Sequence, residues 1–204
     1  MISQRPIATA ALAALLAIPF TATAQDLHPS RRPSPLGMAR ITLGDTYVRV
    51  TYGRPYKRGR QNIFGTKESG ALVPYGERWR TGANEATEIT VTGDVLVAGK
   101  KLPAGTYSLF TTPGDKEWTV HFNSKLGLDG TGVFANDTFT PVDLAPTDVV
   151  VVSVPVRQLS EAQEVDQLTF EFEKSGTGAD MVLRWIQTEV HVPIVPAAQG
   201  GSGR

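Results

Sequence analysis

Between Tyr52 and Glu85 the chain gathers groups that could do chemistry. The stretches "TYGRPYKRGRQNIFG" and "VPYGERWRTGANEAT" hold Arg54, Lys57, Arg58, Arg60, Arg78 and Arg80, followed by Asn84 and Glu85. A guanidinium is a rigid planar fork that suits a carboxylate, phosphate or sulfate in bidentate geometry. Tyr52, Tyr56, Tyr75 and Trp79 interleave with these charges. Flat aromatic faces beside hydrogen-bonding groups are what a sugar or aromatic ligand needs. One reading has Arg54, Arg60 and Arg80 converging on an anionic group, Asn84 and Glu85 orienting the ligand, and Tyr52 or Trp79 forming a wall. The other has the same residues pinning a loop, with Arg80 paired to Glu85 or Glu77 and Asn84 satisfying backbone groups in a turn.

Other chemistries find less support. Glycosidic cleavage needs two carboxyls across the scissile bond, and Glu77, Glu85 and Glu88 are close in sequence. Glu85 is the candidate acid or base, while Glu88 is expected to face outward because Ile89 and Val91 take the buried side. His28, His121 and His191 are far apart and form no metal-binding motif. Glu189 and His191 would share one face of a strand, giving two ligands without a visible third, so no metal or cofactor is expected. There is no cysteine and no Gly-x-Ser-x-Gly elbow, although triad partners need not be near one another in sequence. The glycines of "GLDGTG" follow a strand and open no helix, so they read as a flexible loop rather than a phosphate cradle.

The chain that must position these groups starts as an export signal. Arg5 precedes the apolar run 7–18, and Ala22-Thr23-Ala24 offers a cleavage site. The run is too short to span a bilayer, so a periplasmic or extracellular protein without an integral membrane segment is expected. Loss of Arg5 leaves 19 basic residues against 20 acidic ones. That balance, with no binding motif, argues against nucleic acid as a partner. With Cys 0, only the core can hold the fold together.

The periodicity is that of strands. Ala39 to Gly53 reads as two strands joined at Gly44-Asp45, with Ile41 and Leu43 on one face and Val48, Val50 and Tyr52 on another. Residues 53–86 keep no period. From Thr87 to Asn123 come about four short alternating runs separated by turns, with Trp118, Val120 and Phe122 on one face. Residues 124–140 read as a loop, and "DVVVVSVPVRQL" as a strand covered on both faces. Leu168, Phe170 and Phe172 point inward from the next strand, and "ADMVLRWIQTEVHVPIV" is one long strand or two bent at the middle. The expectation is an all-β, single-domain antiparallel β-sandwich, jelly-roll-like, with a closed β-barrel as the alternative. It comprises a signal peptide (1–24), an extended lead-in (25–38), the β-sandwich (39–195) with its irregular insertion (53–86), and a disordered tail (196–204).

The strings "TYGRPYKRGRQNIFG", "LVPYGERWRTGANEATEITV" and "LPAGTYSLFTTPGDKEWTVHFN", in that order, resemble the bacterial family catalogued as domain of unknown function 2911. The likeness runs from about 34 to 194. It implies an exported single β-domain and no established activity, and His121 stands where an apolar residue is more usual. Function stays open between a binding or accessory module for a small anionic or sugar-like ligand, a hydrolase acting on cell-envelope material or carbohydrate, and a structural or protein-interaction module.

Overall fold

A computed structural model describes His28 and residues 31–198. The expected signal peptide, its cleavage site, part of the lead-in and most of the tail lie outside the described residues. The strands are β1 (Leu36–Leu43), β2 (Thr46–Gly53), β3 (Phe64–Gly65), β4 (Val73–Pro74), β5 (Thr87–Val91), β6 (Val95–Val97), β7 (Lys100–Leu102) and β8 (Gly105–Thr112). They continue with β9 (Glu117–Asn123), β10 (Gly132–Ala135), β11 (Thr138–Pro141), β12 (Asp148–Gln158), β13 (Val165–Ser175), β14 (Gly178–Ile186) and β15 (Thr188–Pro196).

The strand order β1-β2-β5-β8-β9-β12-β15-β14-β13 makes one antiparallel sheet folded over on itself. The fold-over is at β12. Its first part pairs with β9 over Asp148 to Pro155, and its end pairs with β15 over Val156 to Gln158. The inward faces of the two layers share one core, in which Val48, Ile89, Leu109 and Phe122 meet Leu168, Met181, Leu183 and Ile194. Burying that alternating apolar set is the main stabilising term. β1 and β13 run alongside each other at the two ends of the order, with no ladder between them among the described residues. The sandwich is therefore the fold, and the barrel is not closed.

The insertion bridges that gap. Tyr56 forms an antiparallel bridge with Gln167. The Leu168 amide donates to Pro55 O, and the Lys57 amide donates to Asp166 O. β13 shifts out of register with β14 between Val165 and Thr169, which frees those backbone groups for this contact. Farther on, Ile63 and Val73 are buried, and Phe64 and Trp79 pack against the core. The insertion thus has little period because it is a plug, sending single side chains inward between short bridges.

Four sequence expectations are revised. β1 starts at Leu36, three residues inside the expected lead-in, and at the other end the Ala197 amide donates to Asp94 O. The segment expected as a plain loop after β9 contains the β10–β11 hairpin, whose turn holds Asn136 and Asp137 at φ of 49° and 56°. Asn-Asp in that conformation is the chemistry of a tight hairpin turn. β12 is covered on one side only: Val150, Val152 and Val154 are buried, while Val149 is 45% exposed. The 178–196 region is a hairpin, β14 against β15, turned at Ile186 and Gln187.

Candidate functional site

The odd alternation in "ERWRTG" has a simple geometric cause. Trp79 exchanges both backbone hydrogen bonds with Thr111, occupying the place beside β8 that β5 holds farther along. Side chains alternate across a strand, so Trp79 enters the core and Arg78 and Arg80 lie on the outer face. The indole stacks on Trp185 and meets Phe64 and Trp118 edge-on, while its Nε1 donates to Gly82 O at 3.1 Å. Residues 80–86 then loop out before Thr87 resumes the ladder, and the Thr87 amide donates back to Arg80 O.

The expected convergence of Arg54, Arg60 and Arg80 gives way to three separate environments. Arg54 donates from Nε to Leu168 O and from Nη2 to Thr169 Oγ1, filling the irregular part of β13. Arg60 donates to Tyr56 O within its own exposed turn. Arg80 lies against Gly130, where a Cβ would sit 3.2 Å from Nη1. Tyr52 is buried, with its ring edge-on to Phe170 and its hydroxyl accepting from the Phe170 amide at 2.8 Å. Burial raises its pKa above the ordinary phenol value, partly offset by that hydrogen bond and by Arg54. Asn84, at φ 64°, donates to Ser34 O and ties down the lead-in. Glu85 accepts from Arg32 Nη1 at 2.6 and 2.7 Å, and Glu77 pairs with Lys67, so neither takes the expected pairing with Arg80.

A groove of about 300 Å³ lies on the outer face at the end of β2 and β5. Thr51 and Glu88, which pair across those strands, contribute to its lining, with Leu36, Tyr52, Glu85 and Ala86. Gly127, Leu128 and Asp129 line it from the "GLDGTG" loop. Of the candidates expected from sequence it therefore brings together Tyr52 and Glu85. Glu88 faces outward as the alternation of β5 requires, and that places it in the groove. Leu36 and the 127–129 loop come from distant parts of the chain, so spacing carries no signal for them.

The ladders continue that pair into a polar row across the outer face. Thr51 is opposite Glu88, Glu88 opposite Ser108, Ser108 opposite Asn123, and Asn123 opposite Asp148. Past the groove the row is covered by 124–147: Ser108 Oγ donates to Lys125 O, and Asn123 Nδ2 donates to Leu144 O and to Asp148 Oδ1. Phe110, Ala86, Leu128 and Leu144 make a second small apolar cluster beneath the same segment.

The row ends in a cluster that sequence spacing does not reveal. Arg78 donates from Nη1 and Nη2 to the two oxygens of Asp148 at 3.2 and 2.7 Å, and its Nη2 lies 2.8 Å from His121 Nδ1. His121 Nε2 is 3.1 Å from Thr112 Oγ1. His121 Nδ1 also lies 3.1 Å from Asp148 Oδ2, so Thr112, His121 and Asp148 stand in a line. Arginine has only donors and a carboxylate only accepts. A ring protonated on Nε2 therefore satisfies Arg78 and donates to Thr112. One protonated on Nδ1 instead satisfies Asp148 and leaves Nε2 to accept from Thr112. Burial, then the Arg78 charge, lowers the His121 pKa against the opposing pull of Asp148. Burial alone would raise Asp148, but hydrogen bonds from Arg78 and Asn123 outweigh it and hold the carboxyl below its usual range.

On the opposite layer Glu189, 2% exposed, accepts from Arg184 Nε, Arg157 Nη1 and His191 Nε2. Both of its oxygens are occupied by these donors. Among the described residues no three His, Cys, Asp or Glu side chains are grouped to hold a metal.

No curated protein and no solved structure matches the chain. A family model does match, over residues 34–194, which is most of the chain. The chain belongs to the family described as protein of unknown function (DUF2911).

Proposed function

We propose that this chain is an exported, non-catalytic binding module that takes a small sugar-like ligand in the groove between Leu36, Thr51, Glu85, Glu88 and the 127–129 loop. The observation that carries the reading is the composition of the groove: Glu85, Glu88 and Asp129 stand around a wall of Leu36, Ala86 and Leu128. Carboxylates accept hydrogen bonds from hydroxyls, and the apolar wall receives the C–H face of a sugar ring. The volume, about 300 Å³, suits a ligand of one or two rings.

Binding is favoured over hydrolysis because Arg32 occupies both oxygens of Glu85, the carboxyl that would have to carry the proton. The leader-like segment 1–24 supports a location beyond the cytoplasm. Titration calorimetry with neutral oligosaccharides of one to three rings tests the proposal. Binding to the native chain that weakens about tenfold in Glu88→Gln, the order expected for one lost charge-assisted hydrogen bond, is the expected result. Equal affinity in that variant, or no heat with any sugar, removes it.

A further inference from the structure

Arg80 departs from the pattern of its neighbours. Arg32, Arg78 and Arg184 each hold a carboxylate, and Arg54, Arg58 and Arg60 each hold a backbone carbonyl. Among the described residues no hydrogen bond or ion pair engages the Arg80 guanidinium, and its Nε is buried without a partner. Burial lowers its pKa and no carboxylate offsets the shift. Arg80 is half-buried, and removing part of a cation from water without a counter-charge is a cost to the fold. Replacing such a cation with an apolar side chain of similar size is commonly neutral or stabilising.

The place of this cation gives it a use. Gly130, against which the guanidinium lies, follows Gly127, Leu128 and Asp129 in the loop that lines the groove. Arg80 O also accepts from Thr87, between the groove residues Ala86 and Glu88. We infer that the groove's ligand carries one anionic group on its polyhydroxylated body, a carboxylate or a phosphate, and that Arg80 binds that group. The inference rests on the groove reading for the sugar body and on the unpartnered guanidinium for the charge. The carboxylates lining the groove disfavour a bare anion, whereas a molecule bringing hydroxyls for Glu88 and Asp129 satisfies both sets of groups.

The test uses glucose, glucuronate, glucose 6-phosphate and inorganic phosphate as probes on the native chain, Arg80→Met and Arg80→Lys. Thermal unfolding and the arginine Nε–Hε resonances in a nitrogen-15 spectrum are read together. In the native chain one of the two charged sugars stabilises at concentrations about tenfold below those of glucose, and it moves the Arg80 Nε–Hε resonance. Which of the two does so separates carboxylate from phosphate. Arg80→Met unfolds at or above the native temperature without probe and responds equally to charged and neutral sugars, while Arg80→Lys keeps part of the preference. Charged and neutral sugars acting alike on the native chain overturns the inference and leaves the groove reading standing. Inorganic phosphate moving the Arg80 resonance while no sugar stabilises keeps Arg80 as an anion site and removes the groove reading. A loss of several degrees in Arg80→Met with no change in sugar preference overturns the inference, because Arg80 is then a packing residue.

Discussion

Trp79 stacks on Trp185 with ring centroids 5.9 Å apart and an interplanar angle of 17°. The contact joins the insertion to the far layer of the sandwich, since Trp185 belongs to β14. Phe64, also from the insertion, stands edge-on to both rings and to Trp118. Trp79 is thus the anchor of the insertion and not the wall of a binding site. Trp79→Ala removes the stacked ring from a packed cluster, and such truncations cost about 3–5 kcal/mol. Denaturant unfolding is expected to show a loss of that order, with limited proteolysis cutting the insertion first. Native-like stability in this variant would show that the insertion is held mainly by its backbone bridges.

Gly53 supports the same architecture from the backbone side. A Cβ built on it would lie 2.0 Å from Ala83 O, because the 81–84 turn crosses the end of β2 and the Ala83 amide donates to Gly53 O. No flexible side chain is available to give way. Gly53→Ala is expected to destabilise by about 3 kcal/mol or more through this backbone clash. It should also release Asn84 from Ser34, seen as faster exchange of the Asn84 side-chain amide protons. Gly44→Ala is the control, since open space surrounds that glycine and only its φ of 58° opposes the change. A smaller loss at Gly53 than at Gly44 would contradict the crossing.

Much of this was legible where one physical rule acts alone. Alternation identified the inward faces of Val48, Val50, Trp118, Val120, Leu168 and Phe170, and the succession of short alternating runs and turns identified an all-β class. The insertion resisted because plug residues such as Ile63 and Trp79 are chosen singly by the core they enter, which leaves no period to read. The arginines misled for a related reason. A guanidinium that fills a strand irregularity, as Arg54 does at Leu168, has the same sequence appearance as one that awaits an anion. The polar row from Thr51 to Asp148 exists only once strand order and register are known, so His121 and Asp148 could not be joined to Arg78 beforehand.

The Arg78–His121–Asp148 cluster makes stability depend on pH with a definite sign. The folded His121 pKa lies below its ordinary value of 6.5. As pH falls below about 6.5 the unfolded chain takes up that proton before the native chain does, so stability falls in that window and is unaffected above it. Asp148 is also depressed, from an ordinary value of 3.8. Its contribution is present above that value and is lost as pH falls through the lower, folded one. His121→Asn keeps an acceptor near Arg78 and removes the titration. It is expected to flatten the slope of unfolding free energy against pH between 6.5 and 5, measured in denaturant, while leaving the steeper acid loss below 4. An unchanged slope in the upper window would show that the native and unfolded chains bind the histidine proton equally.

Glu189 and His191 sit two residues apart on β15, and the geometry there argues for an arginine site rather than a metal site. Arg184 binds Glu171, Glu173 and Glu189 at once, and His191 and Arg157 complete the shell of Glu189. Burial would raise the Glu189 carboxyl, but hydrogen bonds from His191 and Arg184 outweigh it and hold the group below the usual range. A zinc ion arriving here would have to displace a guanidinium from a carboxylate that is 2% exposed. Dialysis against EDTA, and addition of zinc afterwards, are therefore expected to leave the unfolding temperature unchanged. Glu189→Gln keeps the shape but removes the charge facing Arg184. With Glu171 and Glu173 still paired to that arginine, the expected loss is about 1–3 kcal/mol, smaller than for a pair with no other partner. A zinc-dependent rise in unfolding temperature that disappears in Glu189→Gln would reverse this assignment.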